Sequence, residues 1–449
     1  MEKLLLSEIA DCLGSKCPTE KEITEISTDT RNLPEGCLFI AIKGERFDGH
    51  TFIKKAIESG AAAAVSEYKV EDCPCVVVKD TRKALLDIAA YYRRKFSPIL
   101  VGVTGSVGKT TTKEMIALVL SEKYNTLKTQ GNFNNEIGLP KTLFNLDSSY
   151  QAAVIEMGMS HFGEIERLSR TASPTMGVIT NIGFSHIENL KSQDGILQAK
   201  LEILKGMADN EPLVVNGDDE RLSQLKTKFT GRPVYYYGID NPENDFSAEN
   251  IHEESGKTYF ELNYSGKKIP AEIPCVGKHN VMNAAAAFAV GTLNGLSAEE
   301  IVSALKKYKP DGMRQNIVDK NGITVIIDCY NASPDSMRAS LNVLAGMECD
   351  GRKIAVLGDM LELGESSETL HRMVGTMAAE TEPDKLFCYG KEAAFTAQEA
   401  EKSGIETYST TDKNELTEKI REYIKTGDVI LFKASRGMKL EEVIDALFK

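Results

Sequence analysis
The sequence predicts an α/β protein divided into three domains, and three observations carry the prediction. The chain has 449 residues, more than one hydrophobic core accommodates, so two or three domains are expected. Short apolar runs alternate with helical patterns over much of its length, which is how parallel strands with crossover helices read in sequence. A glycine-rich loop follows one of those runs and leads directly into a helical pattern, which marks the middle of the chain as the phosphate-binding part.

The elements follow in order. Apolar runs at 38–42, 61–65 and 76–78 are separated by turns and predict a small α/β domain over residues 1–97. Tyr91-Tyr92-Arg93-Arg94-Lys95-Phe96-Ser97-Pro98 reads as a helix end and a linker. A new strand begins at Ile99, and the runs 99–103, 152–155, 176–180 and 213–215 predict a mainly parallel sheet in a central domain, 98–310. Residues 240–275 read as a hairpin insert, with alternation in Tyr259-Phe260-Glu261-Leu262-Asn263-Tyr264 and a turn at Ser265-Gly266. A second α/β series, with runs at 325–327, 354–357, 386–389 and 429–432, predicts a third, Rossmann-like α/β domain over 311–449.

Composition narrows the partners. A formal net charge of −13 argues against nonspecific nucleic-acid binding and against an anionic membrane surface. The apolar run at 4–6 is too short for a signal peptide, and no stretch approaches the ~20 apolar residues of a membrane span. The nine cysteines are scattered, and Cys73-Pro74-Cys75 lacks a second pair to complete a zinc site. Reduced thiols, a cytoplasmic location and a monomer are expected.

The chemistry starts at Thr104-Gly105-Ser106-Val107-Gly108-Lys109-Thr110-Thr111-Thr112, between the strand at 99–103 and a helix with Met115, Ile116, Val119 and Leu120 on one face. Glycines let backbone N–H groups approach phosphate oxygens, and the helix N-terminus adds partial positive charge. Lys109 is placed to reach the β- and γ-phosphates of a nucleotide, and the Thr110 hydroxyl to bind Mg²⁺. Val103 stands where the strict phosphate-loop pattern has glycine, so the match is the shorter Gly-x-x-Gly-Lys-Thr form. An ordinary glycine turn before a helix is the bland alternative.

Ligands of open α/β sheets sit at the carboxyl ends of strands. Glu156 and His186 follow two such ends, on the side of the phosphate loop, as candidate metal ligands. Lys200 belongs to a predicted helix over 196–204 and has Ile196, Leu197, Ile203 and Leu204 at helical spacing around it. It is either a snorkelling lysine or a buried amine of lowered pKa that takes up CO₂ and offers a carbamate to a second Mg²⁺. His252 reads as a surface residue, and His161 and His371 as surface or supporting residues.

These residues resemble the Mur ligases of peptidoglycan synthesis. The resemblance rests on the phosphate loop through Lys113-Glu114-Met115, on Gln130-Gly131-Asn132-Phe133-Asn134-Asn135-Glu136-Ile137-Gly138, on Asp328-Cys329-Tyr330-Asn331-Ala332-Ser333-Pro334-Asp335-Ser336 and on Gly358-Asp359-Met360-Leu361-Glu362-Leu363-Gly364. It runs through all three predicted domains. It implies an ATP-dependent amide ligase with UDP-N-acetylmuramoyl-tripeptide and D-alanyl-D-alanine as partners, and ATP, two Mg²⁺ ions and carbamylated Lys200 as cofactors. A carboxylate would be phosphorylated to an acyl phosphate and then attacked by the amine.

The resemblance also implies residue roles. Lys109, Glu156, His186 and Lys200 would be the catalytic set. Thr110 and Glu156 would hold one Mg²⁺, His186 and Lys200 the other. Gly105, Ser106, Val107, Gly108, Lys109, Thr110, Thr111, Asn283, Arg314 and Asp328 would bind ATP. Ser27, Thr30 and Arg31, in Ser27-Thr28-Asp29-Thr30-Arg31, would contact the uridine diphosphate. Asn132, Asn135, Asn331, Ser333, Lys433 and Ser435 would be further substrate contacts. Lys433-Ala434-Ser435-Arg436-Gly437 departs from the family form, which has glycine before the serine. The Asp-Asn-Pro-Arg of the diaminopimelate-adding relative is absent, and Asp240-Asn241-Pro242-Glu243 is a poor match in the wrong domain. Two alternatives remain: a folylpolyglutamate or poly-γ-glutamate type ligase, opposed by the Asn-rich loop and the full first domain, and a phosphate-loop regulatory ATPase that makes no product.

Overall fold
A computed structural model of the chain describes residues 1–44, 47–310 and 312–449; residue 311, the expected start of the third domain, lies outside them. Among the described residues the strands form sheets of two, four, nine and six. The α/β reading holds: the two- and four-stranded sheets lie early in the chain, the nine-stranded sheet in its middle and the six-stranded sheet towards its end.

The four-stranded sheet is parallel, in the order Ile26–Ser27, Leu38–Ile40, Ala63–Ser66, Cys75–Val77. Helix Thr81–Arg93 follows, with Asp80 as N-cap accepting from Arg82 N and Lys83 N. The helix ends at Arg93 within the stretch that reads as helix end and linker, and Tyr92 and Arg93 form a buried joint there while Arg94, Lys95 and Ser97 are exposed. Tyr92 Oη donates to Leu146 O (2.6 Å), and Arg93 donates through Nε to Ala172 O (2.6 Å) and through Nη2 to Ser173 O (3.0 Å). One apolar cluster therefore runs without a break from Leu38 and Val65 into Leu143, Phe144 and Leu168 of the central part.

The nine-stranded sheet runs Lys267–Ile273, Lys257–Tyr264, Phe246–Glu254, Val234–Gly238, Leu213–Asn216, Met176–Ile179, Ile99–Thr104, Ala152–Glu156, Thr126–Lys128. From Phe246–Glu254 to the Thr126–Lys128 edge every pairing is parallel. The expected hairpin insert is part of this sheet, because Phe246 pairs in parallel with Tyr237 and draws the next two strands in as antiparallel neighbours. Its tight turns, Ser255-Gly256 and Ser265-Gly266, have positive φ at both residues, which matches the twist of the flanking strands. Strand Ile99–Thr104 sits between Ala152–Glu156 and Met176–Ile179, where the order reverses and a crevice opens at the carboxyl ends.

The six-stranded sheet runs Asn316–Lys320, Ile323–Asp328, Val429–Lys433, Lys353–Gly358, Lys385–Tyr389, Thr407–Thr410; only its first pairing is antiparallel. Separate apolar clusters cover its two faces. Among the described residues no helix is long and apolar enough to cross a membrane.

Candidate active site
A cavity of about 1120 Å³ opens over the carboxyl ends of the central strands, and the ends of the six-stranded sheet close its other side. The strand Ile99–Thr104 feeds it through the phosphate loop. Gly105 has φ +149°, and a Cβ there would lie 1.8 Å from Thr180 Oγ1. Gly108 has φ +82°, and its missing Cβ leaves room for Asn283 Oδ1. Both positions need glycine for the chain to turn into helix Lys109–Leu120.

The loop is internally satisfied. Ser106 N and Val107 N donate to Asn181 Oδ1 (3.0 and 2.8 Å), and Lys109 Nζ folds back onto Gly105 O (2.7 Å) and Ser106 O (3.2 Å). Burial lowers the pKa of Lys109. Thr110 Oγ1 donates to Glu156 Oε2 (2.9 Å), and Asn134 Nδ2 donates to Glu156 Oε1 (2.8 Å). A hydroxyl beside a buried carboxylate is a hard-oxygen pair of the kind Mg²⁺ takes. Thr111 also lines the cavity, and Thr112 Oγ1 donates to Asn283 Oδ1 (3.0 Å), which fixes Asn283 against the loop.

Lys200 lies on helix Gln193–Leu201, which tightens into a 3₁₀ turn at Glu202–Gly206 rather than running on to residue 204 as expected. Ile196, Ala199 and Ile203 are fully buried around it, and Lys200 itself is 1% exposed. Burial first, then the charge of Lys109, pushes its ammonium well below the ordinary lysine range. That favours the neutral amine, the form that adds CO₂. His186 has φ 64° and precedes the short helix Ile187–Leu190. Its Nδ1 lies 2.5 Å from Glu362 Oε2, in a contact too bent to count as an aligned hydrogen bond.

Asp328 and Lys433 end neighbouring parallel strands and are register partners. Lys433 Nζ donates to Asp328 Oδ2 (2.5 Å) and to Asn331 O (3.3 Å), and Ser340 Oγ donates to the same Asp328 oxygen (2.6 Å). Burial alone raises the Asp328 pKa, but the charge and hydrogen bond of Lys433 outweigh it and hold the carboxyl below its usual value. The Arg314 guanidinium stacks 3.8 Å from the centre of the Tyr330 ring.

The cavity thus gathers Gly105 to Thr111, Asn132, Asn135, Glu156, His186, Lys200, Asn283, Arg314, Asp328, Asn331, Ser333 and Lys433. Asn135 uses its Oδ1 to cap Ile137 N and Gly138 N. Ser27, Thr30, Arg31 and Ser435 are not among its lining residues. Ser27 and Arg31 are engaged with Asp29 next to the four-stranded sheet, and Ser435 Oγ accepts from Leu361 N (2.9 Å). Among the described residues no group of three or more His, Cys, Asp and Glu is arranged to hold a metal.

Sequence reasoning assigned no role to Asn134, Asn181 or Glu362. Asn134 and Glu362 lie inside stretches already singled out. Asn181 follows a strand end, the position that directed attention to Glu156.

Comparison with known proteins agrees across the chain. Residues 22–93 match the family model for the Mur ligase family, catalytic domain; residues 103–291 match the Mur ligase middle domain; residues 313–436 match the Mur ligase, glutamate ligase domain. The UDP-N-acetylmuramoyl-tripeptide–D-alanyl-D-alanine ligase of Bacillus subtilis (strain 168) is 42% identical over 438 residues, 94% of this chain and 93% of that protein. The chain belongs to the Mur ligase family. The enzyme of the same name from Escherichia coli (strain K12) is 36% identical over 100% of this chain and 99% of its own. Among solved Mur ligases, MurF from Acinetobacter baumannii superposes with a TM-score of 0.94 at 31% identity, covering 100% of this chain and 99% of its own. MurF from Thermotoga maritima, in complex with ADP, superposes at 0.85 and 30% identity, over 94% and 96%.

Proposed function
We propose that this chain is an ATP-dependent, ADP-forming ligase that joins D-alanyl-D-alanine to UDP-N-acetylmuramoyl-tripeptide in peptidoglycan precursor synthesis. The observation that carries this reading is one cavity lined by a phosphate loop, a carboxylate–hydroxyl pair, a buried lysine of depressed pKa and the Arg314 and Asp328 side chains. It suits a reaction that brings a nucleotide, a carboxylate and an amine together out of bulk water.

The loop amides of Ser106 and Val107 exchange Asn181 Oδ1 for phosphate oxygens, and Lys109 swings from Gly105 O toward the γ-phosphate. Thr110 and Glu156 would hold one Mg²⁺, and His186 with a carbamate on Lys200 would hold the second. Bound there, Mg²⁺ would neutralise phosphate and carboxylate charge. Asn283, Arg314 and Asp328 hold the nucleoside end. With these groups in place, a tripeptide carboxylate oxygen attacks the γ-phosphorus, the β–γ bridging bond breaks and ADP leaves. The deprotonated D-alanyl amine then adds to the acyl carbon, and inorganic phosphate departs. Enclosure between the two sheets protects the acyl phosphate from water. The UDP end is assigned to Ser27, Thr30 and Arg31 in the first domain, and the nucleotide substrates put the reaction in the cytoplasm. An assay of ADP and phosphate release tests the reading: release should require both the UDP-linked tripeptide and D-alanyl-D-alanine. Equal turnover with ATP alone would sink it.

A further inference from the structure
The loop 183–188 is held from two sides. On the central side Gly183 N donates to Ser106 Oγ (2.9 Å) and Ser185 Oγ to Ser106 O (3.4 Å), so the loop rests on the phosphate loop itself. From the other side, the six-stranded part meets it at three points. Asp335, in the first turn of helix Pro334–Gly346, accepts from Phe184 N (3.3 Å), and a Cβ at Gly183 would lie 2.0 Å from its Oδ2. Glu362 Oε2 stands 2.5 Å from His186 Nδ1. Gly364, with φ +53°, packs on Glu188, where a Cβ would come within 2.8 Å of Cγ.

The middle contact is unusual in its backbone. His186 and Glu362 both have φ 64°, a left-handed conformation that non-glycine residues seldom adopt and that costs about 1–3 kcal/mol each unless the surroundings impose it. The surroundings of Glu362 do impose it. Met360 N donates to His371 Nε2 (3.0 Å), Leu361 N to Ser435 Oγ (2.9 Å) and Ala393 N to Asp359 Oδ1 (2.7 Å), while Met360 and Leu363 are buried. The Glu362 side chain is 56% exposed, yet its backbone is fixed on both sides.

We propose that Glu362 is a positioning residue for His186: the third domain sets the orientation of the imidazole through this carboxylate, so the His186 side of the site is complete only when that domain is docked. Even in a contact too bent for an aligned hydrogen bond, a carboxylate oxygen 2.5 Å from a ring nitrogen attracts an N–H and repels a lone pair. In the neutral ring Nδ1 therefore carries the proton, and Nε2 keeps its lone pair for a ligand in the cavity. Asp335 and Gly364 register the loop so that ring and carboxylate meet. The purpose of this arrangement rests on the ligase reading, but its geometry does not.

The test uses the full chain with Glu362→Ala and Glu362→Gln, each checked for an unchanged melting temperature. Imidazole nitrogen-15 NMR without nucleotide reads the tautomer; the chain has six histidines, and His186→Gln assigns the signal. Wild type should show His186 protonated at Nδ1. Glu362→Ala should show a tautomer mixture, and Glu362→Gln, whose amide oxygen still accepts, should keep part of the wild-type population. In the ligase assay Glu362→Ala should lose about 10–100-fold in kcat with the KM for ATP unchanged. An unchanged His186 signal in Glu362→Ala overturns the proposal, as does a raised KM for ATP with kcat intact. A wild-type chain that does not ligate would overturn the function reading instead, and would leave the NMR result to stand alone.

Discussion

The Asp328–Lys433 pair allows a quantitative test of how the third domain holds its cavity edge. The Lys433 side chain is 2% exposed and that of Asp328 17%. Breaking a buried pair by removing one partner costs about 3–5 kcal/mol. Lys433→Met strands a carboxylate that keeps Ser340 Oγ at 2.6 Å and is 17% exposed, so the expected loss is nearer to about 2–3 kcal/mol. Asp328→Asn leaves the lysine its bond to Asn331 O and an amide oxygen, and should cost about 1–2 kcal/mol. The double variant has no unpaired charge and should be less destabilised than the sum by about 2 kcal/mol. A multidomain chain is not expected to unfold as one two-state unit, so the readout is hydrogen exchange in strands Ile323–Asp328 and Val429–Lys433 over a urea series. Because the folded Asp328 pKa is depressed, the contribution is present above about pH 4 and lost as pH falls below it. Additivity of the two single variants within about 0.5 kcal/mol would refute the coupling. Asp328→Asn should also raise the KM for ATP.

Further outcomes are expected elsewhere. Gly105→Ala places a Cβ 1.8 Å from Thr180 Oγ1 at φ +149°, so calorimetric titration should show ATP binding lost; wild-type affinity would contradict the fit described for the loop. Lys200→Ala should fold normally, lose at least about 100-fold in activity and recover in part with small carboxylic acids, whereas Lys200→Arg should not work because a guanidinium takes up no CO₂. Carbon-13 NMR after labelled bicarbonate should show the carbamate, and wild-type activity in Lys200→Arg would make Lys200 a plain buried helix residue. His371 has both ring nitrogens engaged, with Ser367 O and Met360 N, and burial lowers its pKa. Full stability is therefore expected above the ordinary histidine pKa of about 6.5, with a loss of up to about 1.4 kcal/mol per pH unit below it. Melting curves from pH 5 to 8 should show that slope in wild type and a shallower one in His371→Gln.

The parts of this molecule readable from sequence are those set by neighbours in the chain. The phosphate loop is a strand, two obligatory glycines and a helix start in one unbroken run, residues 99–109. The burial of Lys200 is visible because its helical neighbours at three and four positions are apolar. Contacts between distant segments leave no such trace. Glu362 meets His186 across 176 positions of chain, so nothing local distinguishes it from a surface glutamate. The strand at Phe246 reads as an insert because its alternation shows a hairpin, while its pairing with Tyr237 depends on where another strand ends. Arg93 looks like a linker residue because its partners, Ala172 O and Ser173 O, are backbone atoms that carry no sequence signal.

That joint at Tyr92 and Arg93 has a consequence for selectivity. A seam of buried hydrogen bonds within one apolar cluster ties the first sheet to the part that carries the phosphate loop and so sets the separation between them. If one end of a long substrate is anchored on the first sheet and its far carboxylate must reach the γ-phosphate, the protein acts as a caliper. A stem one residue too short stops before the reactive point, and one too long buckles against it. Discrimination between peptide lengths then needs no pocket that recognises the missing or extra residue. Replacing Arg93 would loosen the jaws of the caliper, and the first symptom would be tolerance of wrong lengths rather than loss of turnover.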